Sequence, residues 1–112
     1  MVLETVKRLF SAASGGRRRY SRQREPALEI SFDDGAVYET IDWSAGGFLI
    51  AGPDFPVRPG KRYGGRVNFP AANASGRFAA TVVRSGLSGE SGWRWVRIPP
   101  PVYRAMAGME ED

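Results

Sequence analysis

The chain has 112 residues, 42% of them hydrophobic, a net charge of +4, and neither cysteine nor histidine. That length fits one domain with a modest core, and the missing residue types exclude disulfides, thiolate or imidazole metal sites, and every Ser-His-Asp or Cys-His nucleophile. No run of about 18 apolar residues occurs, so no membrane-spanning helix is expected.

In chain order, Val2, Val6, Leu9, Phe10 and Ala13 recur at helical spacing. Residues 2–13 therefore read as a short amphipathic helix, ended by Ser14-Gly15-Gly16. Residues 1–16 as a whole are helix and linker. Charges at Glu4, Lys7 and Arg8 interrupt the apolar pattern too early for a secretory signal, and a cytoplasmic protein is expected.

Next comes Arg17-Arg18-Arg19-Tyr20-Ser21-Arg22-Gln23-Arg24, five guanidinium groups in eight residues. The pattern then changes to period two. Leu28, Ile30 and Phe32 alternate with Glu29 and Ser31, which reads as a strand. Asp33-Asp34-Gly35 is a hairpin turn, because Asp-Gly tolerates positive φ, and residues 36–42 return. Beyond Gly46 and Gly47, residues 48–51 form a short apolar strand. Pro53, Pro56 and Pro59-Gly60 mark an irregular loop. Residues 62–69 form a strand with Tyr63, Val67 and Phe69 on one face, and residues 77–84 form another. The Gly- and Ser-rich stretch 86–92 reads as a turn. Trp93–Ile98 is the last strand, Pro99-Pro100-Pro101 stops it, and residues 102–109 form a short helix. Six short strands separated by turn signals favour a small antiparallel barrel or sandwich. Barrel closure would hide the strand edges.

Charge singles out the arm. Residues 1–24 carry seven basic side chains and one acid, net +6, while residues 25–112 carry nine basic and eleven acidic ones, net −2. A basic arm on a near-neutral body indicates a focused anion site or a nucleic-acid tail. If the arm is extended, Arg18 and Arg22 lie roughly 13 Å apart on one side. Each fork can grip a phosphate bidentately, read O6 and N7 of a guanine, or stack on a base. The competing reading is a solvated basic linker.

A second cluster follows at Asp42-Trp43-Ser44-Ala45-Gly46-Gly47. Asp42 offers an acceptor for a base N–H, Ser44 a hydroxyl, and Gly46 and Gly47 bare backbone that a ligand can approach. Alternatively, Asp and Ser cap a tight turn and the glycines supply positive φ. Other chemistry finds no support. Pro59-Gly60-Lys61-Arg62 lacks the Ser or Thr and the upstream glycine of a P-loop. Asp33 and Asp34, adjacent in a turn, are poorly placed for paired acid/base work. Trp93 and Trp95 read chiefly as core; an exposed indole could instead stack on a base.

Together these segments resemble the PilZ domain, a bacterial receptor family for cyclic di-GMP. Arg18 and Arg22 match its RxxxR motif, and Asp42, Ser44 and Gly47 match [D/N]xSxxG, in the right order with a hairpin between. The apolar strand after the glycines, the Pro59-Gly60 turn, Val82-Val83-Arg84 and Gly92-Trp93-Arg94-Trp95 also fit, over roughly residues 17–105. Trp43 departs from the smaller aliphatic residue usual there; it either fills core or crowds the turn.

The resemblance implies an all-β fold, a six-stranded antiparallel barrel with short terminal helices, spanning residues 17–105 with a tail at 106–112. It implies a non-enzymatic receptor without metal or cofactor. Arg17, Arg18, Arg22, Asp42, Ser44, Gly46 and Gly47 would bind cyclic di-GMP. A long basic residue at Arg17 accompanies two stacked ligand molecules per chain in the family, where a third fork helps to offset four phosphate charges. The arm would order on the ligand and present a surface to a downstream protein. The alternatives are a small-barrel nucleic-acid binder, disfavoured by the net −2 body, and a ligand-free interaction module.

Overall fold

A computed structural model of the chain describes residues 22–86 and 88–110. The expected helix at 2–13, its linker, and Arg17 and Arg18 lie outside the described residues. Within them, six strands close into an antiparallel barrel: β1 (Glu29–Phe32), β2 (Val37–Ser44), β3 (Gly47–Ala51), β4 (Arg62–Phe69), β5 (Ala74–Ser85) and β6 (Glu90–Arg97). The ring order is β1-β2-β3-β6-β5-β4, and β1 pairs with β4 to close it. A single 3-10 turn at Pro70–Ala72 joins β4 to β5, and a helix, α1 (Pro100–Glu110), follows β6.

Period-two alternation builds the core. Ile30 and Phe32 of β1, Val67 and Phe69 of β4, and Phe78, Ala80 and Val82 of β5 all point inward and are buried. Leu28, Trp43, Phe48, Ile50 and Trp93 complete the interior. Aromatic rings dominate it: Phe48 stacks on Trp93 with centroids 5.7 Å apart, and Phe32 meets Phe78 edge-on at 5.9 Å. Val102 and Met106 of α1 are fully buried in the same cluster, where the helix packs on β4 and β5.

Several boundaries differ from the sequence expectation. β5 begins at Ala74 rather than at residue 77, and β6 begins at Glu90 rather than at Trp93. The glycine-rich stretch 86–92 reads as a turn, yet Gly92 sits inside β6, and Gly76, outside the expected strand, sits inside β5. A Cβ on Gly76 would lie 2.6 Å from Pro99 Cβ, so the glycine lets the β6–α1 connection cross β5 closely. The proline run stops β6 but also opens α1, since proline is well accommodated in a first helical turn, where its missing N–H is not needed. The tail expected from residue 106 is, through Glu110, the second half of that helix. Met106 anchors it by burial in the hydrophobic cluster.

Candidate functional site

The described part of the arginine arm lies along β2. Leu28 N–H donates to Thr40 Oγ1 at 2.9 Å, and Thr40 N–H donates to the Leu28 carbonyl at 2.9 Å. Upstream, Gln23 and Trp43 exchange both backbone hydrogen bonds, at 2.7 and 2.9 Å. Between these contacts the Trp43 indole N–H donates to the Pro26 carbonyl at 2.7 Å. Trp43 is fully buried, edge-on to Phe69 at 5.4 Å. It therefore fills core rather than crowding the turn, while its one polar atom ties down the arm. An indole suits this double task because its body is apolar and its N–H needs a partner when buried.

A bulge in β2 decides where Asp42 points. Thr40 pairs with Ile50, but Asp42 pairs with Leu49, so two steps on β2 match one on β3. In an unbroken strand Thr40 and Asp42 would share a face, and Thr40 is buried. The extra residue at Ile41 reverses the alternation, sends Trp43 inward, and turns Asp42 out. There Asp42 forms an ion pair with Arg22, its carboxylate accepting from the guanidinium Nη2. The Asp42 side chain is 18% exposed, which places this contact at the barrel surface and partly out of solvent.

The turn after β2 is built around Ser44. Its hydroxyl accepts a hydrogen bond from Gly46 N–H at 3.0 Å, a local side-chain-to-backbone closure. Its carbonyl accepts from the Trp95 indole at 3.1 Å, and the Gly46 carbonyl accepts from Trp95 N–H at 3.1 Å. Ser44 is buried, so it shapes the turn from beneath. Gly47 opens β3 opposite Arg94, and a Cβ there would sit 2.0 Å from the Trp93 carbonyl oxygen. The glycine is required for strand approach. The expectation that Gly46 and Gly47 supply positive φ is corrected: the left-handed glycines among the described residues are Gly35, Gly52, Gly60 and Gly89.

The fold thus gathers Arg22, Asp42, Ser44, Gly46 and Gly47 on one stretch of β2 and β3; Arg17 and Arg18 fall outside the described residues. Sequence reasoning missed Gln23 and Pro26, which act through backbone atoms and leave no compositional trace, and it weighed Trp95 as core or stacking platform but not as the indole donor to the Ser44 carbonyl. Trp95 is partly buried against the core, packing on Phe48 at 4.8 Å and Phe78 at 5.7 Å, so neither tryptophan of β6 serves as an exposed stacking platform. Chemically the site offers an arginine fork and a carboxylate in register, beside a turn whose residues carry little or no side chain. Among the described residues no group of three or more acidic side chains is placed to hold a metal.

No family model matches the sequence, and no curated protein matches it either. Solved structures do match the fold. The Bacillus subtilis inhibitor of motility (MotI/DgrA) aligns over 83% of this chain with a TM-score of 0.64 and 18% identity. The PilZ domain of CeSA from a cellulose-synthesizing bacterium aligns over 80% of this chain and 98% of its own length, with a TM-score of 0.57 and 19% identity. This chain has a PilZ-like fold. YcgR of Escherichia coli, solved in complex with c-di-GMP, aligns over 83% of this chain with a TM-score of 0.56 and 20% identity. The chain spans 49% of the MotI/DgrA chain and 44% of the YcgR chain. At these identities the likeness establishes the shared PilZ barrel.

Proposed function

We propose that this chain is a non-catalytic receptor for cyclic di-GMP. One observation carries the reading: Arg22 and Asp42, twenty residues apart and belonging to two separate sequence motifs, meet as an ion pair on the outside of a PilZ-like barrel. A dinucleotide with guanine edges and phosphates is the ligand such a pair suits. The Asp42 carboxylate accepts from guanine N–H donors, and arginine forks take phosphate oxygens or guanine O6 and N7. The solved complex of YcgR with c-di-GMP lends this choice of ligand further support.

In this reading the ligand competes with Arg22 for Asp42 and exchanges one charge-assisted contact for several. Arg17 and Arg18 join Arg22 on the phosphates, and the Ser44-to-Gly47 turn lets a base approach the backbone. The arm then closes on the barrel and remodels a surface read by a downstream protein, an order–disorder switch driven by contacts made only in the closed state. Two stacked ligands per chain are expected, with Arg17 offsetting the added phosphate charge. A cytoplasmic location follows from the nature of the ligand.

Calorimetric titration with cyclic di-GMP tests the proposal. Arg18→Ala and Arg22→Ala should each weaken binding by about 1.5–3 kcal/mol, with the fold intact. Wild-type-like binding by both variants would move the site elsewhere. Arg17→Leu should shift the ratio from two ligands towards one; a wild-type ratio near one would remove the two-ligand claim and leave the receptor assignment standing.

A further inference from the structure

On the far side of the ring from β2, the strands β4, β5 and β6 form a face with an unusual distribution of charge. Thr81 of β5 is paired with Arg62 of β4 on one side and Arg94 of β6 on the other. One step along, Ala79 is paired with Gly64 and with Arg97. Gly64, Ala79 and Thr81 thus make a strip of small residues with arginines on both banks. With neighbouring strands about 4.8 Å apart, Arg62 and Arg94 stand roughly 10 Å apart across the strip. Arg66 extends the β4 bank by roughly another 13 Å.

Among the described residues, four of these guanidinium groups are uncommitted. Arg62, Arg66, Arg94 and Arg97 are exposed, and none has an ion-pair partner among the described residues. Arg77, by contrast, is held by Asp33 through two hydrogen bonds, at 2.9 and 3.2 Å. Arg84 lies over Gly92, its Cγ and Nε both 3.3 Å from where a Cβ would stand. The single acid on the three strands is Glu90, at the start of β6. Uncompensated like charges closer than about two Debye lengths repel one another, so the face gains free energy by meeting an anion.

We infer that this face docks an acidic protein segment, laid over Ala79 and Thr81 between the two arginine banks. The chemistry of the side chains favours that occupant. Arginine forks pair bidentately with carboxylates, and arginine, unlike lysine, is enriched in protein interfaces. Ala79 and Thr81 let a peptide backbone come close, and exposed Val96 beside Arg97 adds an apolar contact. The Arg77–Asp33 pair bounds the strip at Gly64, where Arg77 Nη2 and Asp33 Oδ2 both lie 3.6 Å from where a Cβ would stand. Single-stranded nucleic acid finds no stacking platform here, because Tyr63, Trp93 and Trp95 all belong to the interior aromatic cluster. The inference does not depend on the cyclic di-GMP reading, although the two sites adjoin where Arg94 pairs with Gly47.

The test is fluorescence anisotropy with the full chain and two labelled probes: a peptide of about ten residues with Glu at alternate positions, matching strand spacing, and a thymidine oligonucleotide of similar contour length. The peptide should bind more tightly than the oligonucleotide. The paired variant Arg62→Glu/Arg94→Glu, at two exposed positions, should weaken peptide binding about tenfold or more, as exposed charge pairs turn from attraction to repulsion. A control with the same change in net charge placed elsewhere, Arg58→Glu/Arg104→Glu, should retain binding. Circular dichroism confirms that both variants fold. No peptide binding by the wild type, equal loss in the control, or tighter binding of the oligonucleotide would each overturn the inference, the last in favour of a nucleic-acid face.

Discussion

Strands β1, β2 and β3 carry Glu29, Glu39 and Asp42 and no basic side chain, whereas β4, β5 and β6 carry six arginines and one acid. The two halves of the barrel also use their charges differently. In the acidic half, Asp42 holds the arm through Arg22, and Glu29 accepts from the Asn68 amide at 2.9 Å across the β1–β4 seam. In the basic half, four exposed arginines stand without partners among the described residues. The net charge of −2 for residues 25–112 therefore hides two oppositely charged strand sets, its negative balance coming from acids outside the strands. Net charge is an argument about the whole surface only when the charges are mixed, and here closure of the barrel separates them.

The largest effect should come from removing what ties the acidic half to the arm. Trp43→Ala leaves a cavity at a fully buried site and is expected to destabilise the fold by about 3–5 kcal/mol in urea titrations. Trp95→Ala, on the basic half and only partly buried, should destabilise it less. Equal losses would mean that the Pro26 contact of Trp43 adds nothing. The ligand contrast comes next. Asp42→Ala should weaken cyclic di-GMP binding by about 1.5–3 kcal/mol while preserving weak, salt-sensitive binding of polyanions, whereas Arg62→Ala should leave the cyclic di-GMP isotherm unchanged. Similar losses in both would erase the distinction between the halves.

Thr40→Val probes the start of β1. It keeps the side-chain volume but removes the acceptor of the buried Leu28 N–H, which should cost about 1–3 kcal/mol. Hydrogen exchange at the Leu28 amide should quicken more than exchange at Ile30, and unchanged protection would show that another group satisfies it. The smallest effect concerns Asp33 and Arg77, where the two halves touch. Hydrogen bonds from Arg77 hold the Asp33 carboxyl below its ordinary value. A depressed carboxylate contributes its stability above the unfolded-state pKa and loses it as pH falls through the folded-state value. Arg77→Ala should raise the Asp33 titration midpoint, read by carboxyl NMR, with little change in Tm, because both side chains are more than half exposed. A midpoint that stays in place would separate the two groups electrostatically.

Alternation made the strands legible. Ile30 and Phe32, Val67 and Phe69, and Phe78, Ala80 and Val82 repeat every second residue, and each set is a buried face. Arg22, Asp42, Ser44 and Gly47 stood out because charged, hydroxylic and Cβ-less residues were concentrated in two short segments. Other features had no such signature. Gly92 reads as a turn residue, and Gly76 falls outside its expected strand, because glycine marks both turns and close approaches, and only a neighbouring chain tells the two apart. The bulge at Ile41 is invisible in a string of letters, since one extra residue changes the face of everything after it without changing composition.

Local chemistry, then, is what the amino-acid order determined by itself: which segments extend, which turn, and which residue types could meet an anion. That information is local because backbone preference and side-chain polarity act over a few residues. Tertiary structure decided which of those residues meet. It brought Arg22 to Asp42 across twenty positions, made Trp43 both core and clasp, and sorted the charges of a near-neutral body onto opposite sides. Those outcomes depend on strand register and ring closure, and register is set by the joint burial of every inward side chain at once.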